Sequence, residues 1–298
     1  MFKKSFTSKD LIGIVAYDAG ASNLLLAWVI NNPSLNYLFC LKGPAKKIYE
    51  DKGLIDCLKD LEDIIENCNV IITGTSYLNM LEHNTRIKAK KLNILSIAVI
   101  DHWCNYELRF IRNKQKVLPD MIWVFDKFAE KIAKNLFKET NIQRQTNFYL
   151  ESLVKEITPI EKKQPYEKSR ILYVLEPIKK ESNIEGLPYE YLVLDYFIEK
   201  ISKLNLINEL EIRLRLHPSE NINKYNNWIN NHNDYYISIS FNKTLSEDIS
   251  WADIVIGYDT YALVVGSAAS RKCFSSKLPY EENCELKIKD LKYLRDLN

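Results

Sequence analysis

His217-Pro218 closes a stretch, residues 211–216, in which apolar Ile212, Leu214 and Leu216 alternate with Glu211, Arg213 and Arg215. That period of two is a strand pattern. Proline ends it, because it brings no N–H to a ladder and holds the residue before it extended. Ser219 stands where it could cap the amphipathic segment 222–231 that follows. A histidine at the junction of strand and helix can donate to phosphate or move a proton. It can equally be a turn histidine bonded to backbone. Thr260, in the turn after an apolar run ending at Gly257, occupies a comparable place. There a hydroxyl, free N–H groups and the helix dipole together favour phosphate, although plain capping by Thr260 explains the same residue.

Two further stretches carry candidate chemistry. Asp18 lies in the turn 17–22, after the apolar run Leu11–Ala16, so it presents a carboxylate at a strand end; an Asx-turn or a cap is the plain alternative. Gly20 and Ser22 belong to the same turn, which brings backbone N–H groups near a ligand without being a GxGxxG fingerprint. Residues 101–110, Asp-His-Trp-Cys-Asn-Tyr-Glu-Leu-Arg-Phe, crowd large polar and aromatic side chains into one loop, which favours a site role for the loop, foremost through Asp101 or His102. Thr75 and Ser76, after the run 70–73, suit an anion or a ribose, or simply cap a helix.

These residues need rigid elements behind them. Apolar runs predict strands at 11–16, 37–41, 70–73, 94–100 and 120–125, separated by helices at 23–29, from 45, at 77–91 and at 127–137. A second series predicts strands at 171–175, 211–216, 235–240, 253–257 and 271–275. Its helices are expected at 189–204, 222–231, 245–251, 262–270 and 285–294. The charged stretch 156–170, with Pro159 and Pro165, reads as a linker. The expected class is α/β, with two Rossmann-like domains, 1–155 and 171–298, facing across a cleft lined by strand ends.

Composition narrows the function. The chain has 298 residues, 46% hydrophobic and 27% charged, as in soluble globular proteins. A net charge of +2 gives no field that would favour nucleic acid. Six cysteines show neither CxxC nor metal-ligand spacing, which favours a reducing cytoplasm. No signal-peptide pattern follows the basic start, and no apolar run is long enough to span a bilayer, so membrane contact is expected to be peripheral at most. The apolar and basic stretch 110–116 is either a solvated turn or a rest on an anionic surface.

The arrangement resembles glycosyltransferases of the GT-B fold, in particular bacterial sialyltransferase-like enzymes, which carry a His-Pro motif after a C-domain strand and a Ser/Thr turn further on. Here these are His217-Pro218 and Asp259-Thr260. The stretches 17–21 and 101–106 look like those of proteins from surface-glycan and nonulosonic-acid gene clusters. Residues 145–150 resemble the Gly-Asn-Pro segment that ends the first GT-B domain, with Thr146 and Phe148 departing from it. The resemblance implies a cytoplasmic, inverting, metal-independent transferase that moves a sugar, such as a sialic-acid-like nonulosonic acid, from a CMP-linked donor to a glycan or glycolipid acceptor. It implies that His217, Pro218, Ser219, Gly257, Asp259, Thr260 and Glu176 hold the donor phosphate and nucleotide. Asp18 would be the base, with Asp101 its competitor. Gly20, Ser22, Thr75, Ser76, His102, Asn105 and Arg109 would meet acceptor or sugar. No cofactor is implied, and a homo-oligomer is compatible. The alternatives are a UDP-sugar epimerase, hydrolase or transferase of this fold, and a non-catalytic nucleotide-sugar-binding protein.

Overall fold

The computed structural model describes residues 5–54, 56–77, 79–160, 168–178, 188–204, 206, 209–289 and 291–297. The chain divides into two compact units, Met1–Glu151 and Ser152–Asn298. In the first, β1 (Leu11–Ala16), α1 (Ala19–Ile30), β2 (Asn36–Leu41), α2 (Pro44–Glu50), α3 (Leu61–Asn67), β3 (Val70–Thr73), α4 (Leu81–Lys91) and β4 (Leu95–Val99) follow in order. A small hairpin, β5 (Ile111–Arg112) and β6 (Gln115–Lys116), precedes β7 (Met121–Val124), α5 (Lys127–Leu136) and β8 (Asn141–Arg144). Helix α6 (Phe148–Glu156) carries the chain across the boundary at residue 151.

Six of these strands form one parallel sheet in the order β2-β1-β3-β4-β7-β8. Its central strands are buried on both faces, which is why their sequences are largely apolar, with Thr73 and Ser96 as small polar exceptions. One face packs Leu25, Trp28, Phe39, Tyr49 and Trp123 into a core, with Trp28 and Trp123 5.0 Å apart between centroids.

The second unit runs β9 (Ser169–Val174), α7 (Tyr189–Lys200), β10 (Leu210–Arg215), α8 (Asn226–Asn231), β11 (Tyr236–Ile239), α9 (Leu245–Trp251), β12 (Ile254–Gly257), α10 (Tyr261–Ala268), β13 (Lys272–Ser275) and β14 (Lys292–Tyr293). Its sheet is also parallel, ordered β11-β10-β9-β12-β13-β14. The carboxyl ends of four strands are level, since Arg215 pairs with Val174, Val174 with Gly257 and Gly257 with Ser275.

Several expectations are corrected. The final helix at 285–294 does not form; its end supplies β14, an edge strand on β13, and a 3-10 turn at Leu294–Asp296. Helix α4 starts at Leu81 rather than 77, α8 at Asn226 rather than 222, and α1 at Ala19 rather than 23. Strand β8 and helix α3 were not expected. Asn141-Ile-Gln-Arg144 holds a single apolar residue, as an edge strand can. Stretch 110–116 is largely the hairpin, turned by Asn113 and Lys114 at φ 49° and 63°. Of the expected linker, residues 161–167 lie outside the described residues. Thr158 is held by the second unit, through Ser250 Oγ at 3.0 Å and Arg271 Nη2 at 2.6 Å.

Gly13 lets α3 close on β1, since a Cβ there would stand 2.5 Å from Ile64 Cγ2 and 3.1 Å from Cys68 Sγ. Both residues are buried, and Ile64 branches at Cβ, so the clash has no cheap escape. Gly13→Ala is expected to lower unfolding stability by about 1–3 kcal/mol in urea titration; an unchanged midpoint would refute this packing.

Candidate functional site

In the first sheet the chain runs from β1 outward to β2, then returns to the other side of β1 as β3. The carboxyl ends of β1 and β3 therefore flank the topological switch point, where α/β sheets bind ligands. The loop after β1 holds Tyr17 and Asp18. The loop after β3 holds Gly74, Thr75 and Ser76. Glu82, from the first turn of α4, bridges them: it accepts the N–H of Tyr17 at 3.0 Å and the N–H of Ser76. Arg86, one turn on, donates to Thr73 Oγ1 and to the Gly74 carbonyl, both at 3.1 Å.

Asp18 is the N-cap residue of α1, with cap-like φ −81° and ψ 154°, yet its side chain makes no capping bond. Its carbonyl accepts Ser22 Oγ at 2.5 Å and the Ser22 N–H at 3.2 Å. Ser22 is thus fully buried inside the helix, with its hydroxyl spent on backbone, which leaves it no surface for a ligand. The half-buried Asp18 carboxylate makes no hydrogen bond or ion pair among the described residues.

Asp101 is differently placed. Its Oδ1 pairs with Arg109 Nη1 at 2.6 Å, and its Oδ2 lies where a Cβ on Gly20 would come within 2.0 Å. Gly20 is therefore the gap that admits Asp101. Burial pulls the Arg109 guanidinium down, but Asp101 outweighs it and holds the group above its ordinary value. Arg109 also donates to Thr75 Oγ1 at 3.0 Å and to the Cys104 carbonyl at 3.1 Å, and Thr75 Oγ1 donates to the Val99 carbonyl. Thr75 and Ser76 are buried, and the Ser76 carbonyl accepts Arg112. His102 Nδ1 lies 3.1 Å from Cys104 Sγ, and Asn105, exposed with φ 58°, donates to the same sulfur at 3.6 Å. Asp18 and Asp101, left as competitors by the sequence, are thus separated: one carboxylate is free and the other is neutralised.

In the second unit β9 turns outward to β10, and the chain returns on the other side as β12, so its switch point lies between β9 and β12. Glu176, after β9, accepts the Asp259 N–H, after β12, at 2.6 Å. Asp259 pairs with Lys277 Nζ at 3.1 Å and accepts Cys284 Sγ–H. Glu176 and Asp259 thus serve this bridge, and their charge disfavours direct contact with phosphate. Gly257 packs against Thr260, whose Cγ2 would meet a Cβ at 2.5 Å. Thr260 caps α10, its Oγ1 accepting the Ala262 N–H at 3.4 Å.

His217 is exposed at the end of β10, beside exposed Pro218. Its Nδ1 lies 2.7 Å from Ser219 Oγ and accepts the Ser219 N–H at 3.2 Å. A backbone N–H can only donate, so Nδ1 is the acceptor and the neutral ring carries its proton on Nε2. Ser219 orients the histidine and does not cap α8, which starts seven residues later. Arg215 is tied to Asp248 and to the carbonyls of Asn242 and Thr244. A cavity of about 860 Å³ opens beside the switch point, lined by Glu176, Tyr189, Tyr258, Asp259, Lys277 and Tyr280 among others.

No protein-family model matches the sequence, and no curated protein matches it. Solved structures do. S. aureus MnaA with UDP matches at TM-score 0.60 and 9% identity, over 89% of this chain and 79% of that one. The UDP-GlcNAc 2-epimerase of Neisseria meningitidis bound to UDP-GlcNAc matches at 0.59 and 9%, over 92% and 84%. The glycotransferase of kitacinnamycin matches at 0.52 and 8%, over 92% and 82%.

The fold is GT-B. At such identities the likeness establishes two Rossmann-like α/β units of that type and nothing finer. It corrects the resemblance to sialyltransferase-like enzymes and the CMP-linked, nonulosonic-acid donor drawn from it. None of these three structures is named for a sialyltransferase or a CMP sugar, and the two named with a nucleotide hold UDP or UDP-GlcNAc. Among the described residues no helix is long and apolar enough to cross a membrane.

Glu82 and Lys277 were missed from sequence. Glu82-His-Asn-Thr-Arg86 looks like a solvent-facing i, i+4 pair, yet both charged residues are 1% exposed. Burial pushes the Glu82 carboxyl up to about 7, against the pull of the Ser76 N–H, Arg86 and the Tyr17 N–H. Burial likewise pushes Glu176 up to about 7, against the Asp259 N–H. Folded values above the unfolded one mean that ionisation costs stability. The cost is absent below the unfolded value of 4.5, grows as pH rises and is complete above about 7. For Glu82 it is on the order of 3 kcal/mol. The stability difference between wild type and Glu82→Gln, followed by urea unfolding from pH 4.5 to 8, should therefore shift in favour of the variant as pH rises. A difference independent of pH would contradict the buried carboxyl.

Proposed function

We propose that the chain is an enzyme acting on the bond between the sugar and the phosphate of a UDP-linked sugar. The observation that carries the phosphate chemistry is His217, held at a level edge of strand ends with no partner for Nε2–H among the described residues; the uridine part is supported by the matching structures that hold UDP or UDP-GlcNAc. In this reading His217 Nε2–H and Thr260 take the phosphate, and the α10 N-terminus adds its dipole. The cavity beside them suits the uncharged part of the ligand, because among the described residues Glu176, Asp259, Glu281 and Glu282 line it against Lys277. The exposed Tyr280 ring offers a stacking face to a nucleoside, beside buried Tyr189 and Tyr258.

As the bond between the anomeric carbon and oxygen breaks, its electrons leave with UDP, and the His217 donor meets that charge. Asp18 supplies the base, taking a proton from water, from a hydroxyl or from the sugar. The named epimerase among the matching structures supports a reaction without an acceptor, epimerisation or hydrolysis. The named glycotransferase supports transfer as the second reading.

The test is a thermal-shift series with UDP, CMP, GDP and ADP, followed by product analysis on UDP-sugars with no acceptor present. UDP at about a hundred times its Kd should add about 2.7 kcal/mol and raise the midpoint. His217→Ala should weaken UDP about 10–100-fold, the worth of a hydrogen bond to a charged group. Asp18→Asn should keep UDP binding and lose about 10²–10⁴-fold in kcat. A midpoint unmoved by UDP, or a response to CMP alone, would overturn the reading; UDP binding without turnover of any UDP-sugar would leave a binding protein.

A further inference from the structure

Asp18 has the backbone of a helix cap, but its side chain makes no capping bond. A free aspartate at that position would ordinarily turn onto the N–H groups of the first turn. The backbone around it is instead pinned from both sides. Ser22 takes the Asp18 carbonyl, and the Tyr17 carbonyl accepts the Ala45 N–H at 3.0 Å. The remaining tie is Glu82. Its two oxygens take the first N–H after β1 and an N–H of the loop after β3, closing the switch point from beneath. The chain makes room for it: a Cβ on Gly74 would stand 2.4 Å from Glu82 Oε1. At 1% exposure Glu82 cannot touch a substrate.

We propose that Glu82 is a positioning residue: it locks the β1 and β3 loops together and thereby fixes where the Asp18 carboxylate stands. A neutral donor–acceptor side chain fills the role poorly, since two N–H groups need two acceptors and an amide offers one oxygen and an NH₂. The charged groups facing Glu82 are Arg86 from its own helix, Asp18 from the β1 loop and Arg112 from the hairpin. The kinetic consequence rests on Asp18 acting as the base; the clamp itself does not.

The experiment uses the full chain with Glu82→Gln and Glu82→Ala, read by NMR and by kinetics on the UDP-sugar that the wild type turns over. In Glu82→Ala the Tyr17 and Ser76 amides should exchange with solvent about tenfold faster or more, as local opening becomes cheaper. In wild type both amide shifts should follow one titration near neutral pH, absent from Glu82→Gln. kcat should fall about tenfold or more while KM stays within about threefold, with Glu82→Gln between wild type and Glu82→Ala. If Glu82→Ala does not fold, Glu82→Gln carries the test through the lost titration and the kcat loss. Unchanged amide exchange and shifts would overturn the clamp, and kcat unaffected despite loosened amides would overturn its role in placing Asp18. A wild type that turns over no UDP-sugar would defeat the proposed function, while the amides would still decide the clamp.

Discussion

A carboxylate beneath each switch point is the interaction on which the two candidate sites depend. In the first unit Glu82 joins the loops after β1 and β3; in the second Glu176 joins those after β9 and β12. At a switch point adjacent parallel strands send their chains in opposite directions, so the loops above them separate and expose N–H groups. An unbonded N–H in that place would cost free energy. A carboxylate satisfies such groups and draws the loops together. The cost is desolvation, visible in both carboxyls as values raised to about 7. The sites are thus built on groups that are expensive to bury and are retained at the edge where ligands bind.

The same arrangement sorts the remaining charges. In the first unit Arg109 neutralises Asp101 and Arg86 Nη1 donates to Thr73 and Gly74, so Asp18 is left without a side-chain bond among the described residues. In the second, Lys277 is spent on Asp259. His217 keeps its outer N–H because Ser219 serves the inner nitrogen.

What the sequence made legible follows from this division. Buried strands announce themselves as apolar runs, so both sheets could be read, and Pro218 and the cap Thr260 marked two strand-to-helix turns. Edge elements with few apolar residues carry little strand signal, because an edge strand needs only its hydrogen bonds: β8 went unread, and β14 lies in a stretch read as helix. Asp18 was visible as a carboxylate at a strand end, whereas its freedom was not. That freedom depends on Glu82, sixty-four residues further on, whose spacing to Arg86 is what an exposed helix face also shows. Burial of a charged pair is decided by partners distant in sequence, and no local pattern encodes it.

The misreading of the nucleotide has a similar physical origin. His217, Ser219 and Thr260 stand at strand ends, where they can meet phosphate, and every nucleotide sugar presents phosphate. Nothing in a His-Pro turn reads a base. Discrimination between pyrimidines must come from groups that meet the ring edge, which the proposed function places in the cavity of Tyr189, Tyr258 and Tyr280. Those tyrosines arise from three separate segments, and two of them bond to Glu281, Tyr189 OH at 3.0 Å and Tyr258 OH at 2.5 Å. A motif confined to a few consecutive residues therefore reports a strand end, while base identity depends on side chains brought together only by folding.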